Sequence, residues 1–139
     1  MIQQGLTTRF KEGMLQAEQN LLTDTLRMAL YTAFSDIGPN TTVYSTANEV
    51  TGTGYTAGGE LVTGATISAG TDGTVYVNFD NVSWPGASFT ARGALIYNVT
   101  AGDKTVAVLD FGSDKVFSTN NNTVTMPANT ATTALIRFP

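Results

Sequence analysis

Few side chains in this sequence could do acid–base or nucleophilic chemistry. Eleven carboxylates, three lysines, four arginines and five tyrosines are present, whereas histidine and cysteine are absent. Within this chain that excludes a Ser-His-Asp or Cys-His nucleophile, a disulfide, and a zinc centre with the usual ligands. A general acid and base would have to come from Asp, Glu, Lys or Tyr alone. The arrangement left open is a pair of carboxylates brought together from distant parts of the sequence, as in glycoside hydrolysis. Asp72, Asp103 and Asp114 each adjoin Gly or Ser, where Asp commonly accepts backbone N–H bonds in turns. Asp110-Phe111-Gly112-Ser113-Asp114 places two carboxylates four apart, without the spacing of a calcium loop, and reads as a loop. The expectation is no catalytic residue, no metal and no cofactor.

Other patterns carry a structural reading more readily than a chemical one. The glycines from Gly52 through Gly54 and Gly58 to Gly59 lack the Gly-Lys-Ser/Thr step and the following helix of a phosphate cradle. They suit a tight connection with Tyr55 packed beneath it. Four Asn-x-Ser/Thr triplets, beginning at Asn40, Asn81, Asn98 and Asn121, arise by chance in a chain so rich in Asn and Thr. Tyr44, Tyr55, Tyr76, Trp84 and Tyr97 could build a sugar-binding platform, although aromatics on a sandwich mostly fill its core.

Charged residues make up 13% of the 139 residues, about half the usual fraction. Their place is taken by 24 Thr, 14 Gly, 10 Asn and 7 Ser, a composition suited to pleated sheet and tight turns. A net charge of −4 with no basic cluster argues against nucleic acid as a partner. No apolar run approaches the ~20 residues of a membrane span, and Met1-Ile2-Gln3-Gln4-Gly5 does not read as a signal peptide. The expected origin is therefore the cytoplasm of the producing cell.

Phe10, Met14, Ala17 and Leu21 recur at helical spacing between Thr8 and Leu22, predicting an amphipathic helix of about twelve residues. Gly13 weakens it by about 1 kcal/mol, so it needs a surface to lie against. Leu26, Met28 and Leu30 then alternate with Thr25, Arg27, Ala29 and Tyr31, predicting a strand with one buried face. From Glu60 onward strand and turn alternate: Leu61–Ile67, Val75–Phe79 after the Asp72-Gly73 turn, Phe89–Tyr97, Thr105–Phe111, Lys115–Phe117, Thr123–Met126 and Thr133–Phe138. About eight strands predict a mainly β fold, an antiparallel β-sandwich or Greek-key, jelly-roll-like barrel. Residues 1–22 form an arm with a helix and residues 23–139 the sandwich domain. The helix face of Phe10, Met14, Leu21 and Leu22 either docks on a neighbouring subunit or packs across an open end of its own sandwich.

Two segments carry a resemblance. One is Tyr44-Ser45-Thr46-Ala47-Asn48-Glu49-Val50-Thr51-Gly52-Thr53-Gly54-Tyr55-Thr56-Ala57-Gly58-Gly59, preceded by Ala29-Leu30-Tyr31-Thr32. The other is Ala91-Arg92-Gly93-Ala94-Leu95-Ile96-Tyr97-Asn98, followed by Ala107-Val108-Leu109-Asp110-Phe111-Gly112. In that order they resemble a family of small virion proteins of tailed bacteriophages, over a span from about Phe10 to Arg137. The resemblance implies a β-rich particle subunit, a decoration (cement) protein on the capsid surface, in contact with the major capsid protein or other virion subunits. It also implies homo-oligomers, with a trimer favoured. The alternatives are a head–tail connector or tail subunit, or a carbohydrate-binding attachment module. In physical terms, Asn48 and Glu49 are expected to fasten the glycine-rich loop by accepting its N–H groups, with Glu49 also pairing with Arg92.

Overall fold

The computed structural model describes residues 1–139. The fold is mainly β and sandwich-like, with antiparallel sheets and one short helix. Five strands form the principal sheet: β1 (Gly5–Leu6), β2 (Leu26–Tyr31), β3 (Glu60–Val62), β7 (Phe89–Asn98) and β8 (Lys104–Phe117). Their order is β1-β8-β7-β2-β3. Opposite lie β4 (Thr66–Ala69), β5 (Val75–Asn78) and β10 (Ile136–Phe138), in the order β10-β5-β4. A two-stranded ribbon pairs β6 (Val82–Ser83) with β9 (Thr123–Val124). No helix is long and apolar enough to cross a membrane.

The Asp72-Gly73 turn joins β4 to β5 as expected, Asp72 Oδ1 accepting from Thr74 N at 3.1 Å. The predicted Leu61–Ile67 strand divides into β3 and β4, which belong to different sheets. Conversely, Thr105–Phe111 and Lys115–Phe117 are one strand. Ala91 faces Lys115 and Gly93 faces Asp110, so Phe111–Asp114 bulge out opposite Arg92. This bulge lets one long hairpin serve both ends of the molecule. Gly93 is required there, because a Cβ would lie 2.6 Å from Leu109 O and 2.8 Å from Ile2 Cδ1.

The main core lies between the sheets and includes Phe10, Leu26, Met28, Leu30, Ile96 and Val106. At one end Phe117 stacks on Phe89 at 4.9 Å and meets Trp84 edge-on at 5.7 Å. A second cluster of Ile2, Ala29, Tyr31, Leu95, Tyr97 and Val108 fills the other face of the principal sheet. Strand β2 is therefore buried on both faces, not on one as its alternation suggests. Residues from the N-terminus and from the 32–59 crossing segment, Ile37 and Tyr44 among them, supply the second cover.

Helix α1 spans Thr8–Leu15, shorter than its apolar spacing predicts. Thr7 is the N-cap, its hydroxyl accepting from Phe10 N at 3.1 Å. Beyond the C-cap Gln16, Ala17 adopts a left-handed φ of 57° and turns the chain away. Leu21 returns to the core by this loop, not along a helix face. Phe10 and Leu21 are thus buried in the sandwich's own core rather than presented on an exposed helix face. Nor are residues 1–22 a separate arm: β1 pairs with β8, and Ile2, Phe10 and Leu21 are core residues.

Two stability outcomes follow. Phe10→Ala should lower the unfolding free energy by about 3–5 kcal/mol, the usual cost of emptying a fully buried aromatic site. Deleting residues 1–22 should abolish cooperative unfolding in urea; a sharp transition in that deletion would show the segment to be dispensable.

Candidate functional site

The resembling segment Tyr44–Gly59 is built around one buried carboxylate. Residues 48–50 run beside the end of β2 where β3 no longer reaches, with Thr32 N bonded to Asn48 O and Val50 N to Leu30 O. This places the Glu49 side chain inside the crossing segment, 8% exposed. Its Oε1 accepts from Tyr55 OH at 2.5 Å and from Gly58 N at 2.8 Å, and its Oε2 from Tyr44 OH at 2.7 Å. Tyr55 OH in turn accepts from Leu30 N at 2.9 Å, capping a strand donor that β3 leaves free. One carboxylate thereby ties together three points of the segment and, through Tyr55, the central strand.

The surrounding groups complete the fastening. Tyr97 OH donates to Gly58 O at 2.8 Å, Arg27 Nη2 to Gly59 O at 2.6 Å and Tyr31 OH to Ser45 O at 2.6 Å. Tyr44 stacks on Tyr97 at 4.5 Å, and the Tyr55 ring meets Phe89 edge-on at 5.5 Å. Gly59 has φ 78° and lies so close to Met28 that a Cβ would overlap its carbonyl oxygen. Gly54, with φ 84°, likewise approaches Gly86, where a Cβ would stand 2.6 Å from the carbonyl oxygen. Gly52 passes over the start of β7, 3.0 Å from Phe89 Cβ for any added Cβ.

Glu49 fastens the loop as its sequence suggests, but the expected partner is wrong. Arg92 Nε donates to Asp114 Oδ1 at 3.1 Å across the β8 bulge, and Glu49 is met by phenols and an amide instead. Asn48 also acts differently. Its backbone carbonyl, not its side chain, accepts the bond from Thr32, and its φ of 60° turns the chain into the bridge. Of the aromatics considered for a sugar platform, Trp84 and Tyr97 are buried and Tyr44 lies against Tyr97.

Burial and the neighbouring carboxylate hold the phenols of Tyr44 and Tyr55 well above the ordinary tyrosine value. Burial does the same for Tyr31, with Glu49 adding to it, and burial raises Tyr97. Two of these neutral phenols, Tyr44 and Tyr55, donate to the one carboxylate, and Tyr31 and Tyr97 donate to backbone carbonyls of the same segment.

The second feature is an apolar groove of about 540 Å³ between α1, the loop after it and the smaller sheet. Phe10, Leu21 and Val77 form its buried floor. Met14, Ile67 and Val75 stand around it, 37%, 48% and 39% exposed. Met14 thus remains accessible as expected, and sequence reading missed Ile67 and Val75. Leu22 is 57% exposed but does not line the groove.

Glu49→Gln replaces one acceptor oxygen by an NH₂ facing existing donors and should destabilise the fold by about 1–3 kcal/mol. Tyr55→Phe should couple to it by about 0.5–3 kcal/mol in a double-mutant cycle read by urea unfolding, because the two share one network. A tyrosine whose folded pKa is raised stabilises the fold fully below its unfolded value near 10, and that stability is lost as pH rises through the folded value. Phenolate absorbance from these four tyrosines should therefore appear together with loss of structure above about pH 10. Smooth titration of all the tyrosines in the folded protein would contradict this. Compared with protein-family models, curated proteins and solved structures, the chain matches none.

Proposed function

We propose that this chain is a structural subunit of a tailed-phage particle, a decoration protein that binds the major capsid protein on the outside of the head and catalyses no reaction. The observation that carries the reading is the groove, where Met14, Ile67 and Val75 leave apolar surface in water around a buried floor. Such a groove can seat apolar groups of a ligand or of another protein, and the resemblance favours the second. The Glu49 network supports the same reading, because the one buried carboxylate is engaged by three donors within the fold. Many copies of a modest contact, repeated over a symmetric shell, add up to firm attachment. The resemblance of the Tyr44–Gly59 and Ala91–Gly112 segments supplies the setting.

The test uses particles of the phage whose genome encodes the chain, probed for bound copies by quantitative mass spectrometry. A decoration protein should be present in hundreds of copies, whereas a connector or tail subunit would give about a dozen. Ile67→Glu, which places a charge in the groove without touching the core, should fold normally and lose at least about tenfold in occupancy on particles. Absence of the chain from purified particles would overturn the proposal.

A further inference from the structure

The smaller sheet ends on one side at β4, the longest of the strands that form a sheet edge. β4 pairs with β5 alone, Thr66 facing Asn78 and Ala69 facing Val75. Just past it, Gly70 N donates to Thr74 O at 2.7 Å. Bonded and non-bonded pairs alternate along an antiparallel ladder, so Thr66 and Ser68 also bond to β5. Ile67 and Ala69 therefore turn their N–H and C=O groups away from the sheet, and no group of this chain meets them. Exposed edges are commonly guarded by a charge, a proline or a bulge. Thr66-Ile67-Ser68-Ala69 has none of these.

The unpaired groups specify what can cover them. Two N–H and two C=O groups at alternate positions are matched by another extended strand. The side chains identify which strand fits. On the face towards the core, the cross-strand rows read Ile136, Val77, Ile67 and Phe138, Val75, Ala69. Both rows are apolar to their last residue, one ending on a large side chain and the other on a small one. Ile67 is 48% and Val75 39% exposed. An antiparallel second β4 centred on Ser68 joins each row to the other. Ile67 then faces Ala69 of the second copy, the large residue beside the small one. The same register makes the Ile67 and Ala69 pairs the bonded ones, which gives four hydrogen bonds. On the opposite face Ser68 meets Ser68, with Tyr76 behind each, so apolar and polar faces both continue across the junction. β4 carries no charge that would repel its copy.

We propose that two copies of this chain pair their β4 edges about a two-fold axis at Ser68. The two smaller sheets become one of six strands. The contact is self-complementary and closes at two copies, in place of the threefold that the resemblance implies. The axis stands perpendicular to the joined sheet, so both apolar grooves lie on the same side of it. The pairing goes beyond the proposed shell contact and is tested without particles.

Sedimentation equilibrium on the full chain should show a dimer. Ala69→Pro removes one outward N–H from each edge and leaves the bonds to β5 in place, as proline does on edge strands. It should keep the urea midpoint of folding and weaken association by at least about tenfold, the loss expected of two hydrogen bonds. Disulfide trapping reads the register directly, because the chain has no other cysteine. Ser68→Cys exchanges one atom and sits at the axis, where a non-bonded pair brings Cα atoms to about 4.5 Å, within disulfide reach. It should oxidise to a covalent dimer. Thr66→Cys should not, since Thr66 faces Gly70 of the second copy in this register. A chain that stays monomeric at roughly 0.1 mM, forms a trimer, dimerises equally well as Ala69→Pro, or crosslinks equally well through Thr66→Cys overturns the proposal.

Discussion

When a sheet is packed on one side only, its outer side chains can be polar and need no partner. Strand β2 and the adjoining half of β7 lack that freedom, since Ala29, Tyr31, Leu95 and Tyr97 are as thoroughly buried as the residues facing the main core. A second layer must lie over them, and no second sheet is available on that side. The crossing segment does this work with irregular backbone. Irregular backbone over an apolar face leaves peptide groups that need partners. The Glu49 carboxylate, the hydroxyls of Tyr31 and Tyr97 and Arg27 supply them, while Tyr44 and Tyr55 hold the carboxylate, so the polar network is the consequence of covering both faces with so few residues.

This explains which parts of the fold were legible in the sequence. Period-two alternation located β2, β5 and the first part of β8, and Asp72-Gly73 marked its hairpin because its turn chemistry is local. The second buried face was hidden by Ala29 and Tyr31. Alanine is small enough to be read as neutral, and tyrosine reads as half-polar until its hydroxyl finds Ser45 O. The Gly112-Ser113-Asp114 stretch looked like a strand end because a bulge and a turn use the same residue types. The helix looked longer than it is because Ala17 and Leu21 keep helical spacing after the helix has stopped, and a loop returns Leu21 to the core.

The carboxylate showed the same limit. Charge complementarity between Glu49 and Arg92 was the visible option, yet Arg92 found Asp114 directly across its own hairpin. The true partners, Tyr44 and Tyr55, lie five and six residues away on either side of Glu49. Their spacing was a usable signal, but a phenol beside a carboxylate has no pattern as recognisable as opposite charges. The groove was half legible: Met14 lay in the apolar periodicity, whereas Ile67 and Val75 reach it from a sheet whose placement depends on the whole topology.

The pairing of β1 with the middle of β8 has a bearing on how the protein is made. Gly5 and Leu6 sit against Val108 and Ala107, and Thr7 N bonds to Val106 O. Gly5 and Leu6 therefore have no partner until a stretch about a hundred residues further along has been made. Contacts of such sequence separation form late and slowly, so the local β7–β8 hairpin is expected to form before β1 docks along its edge.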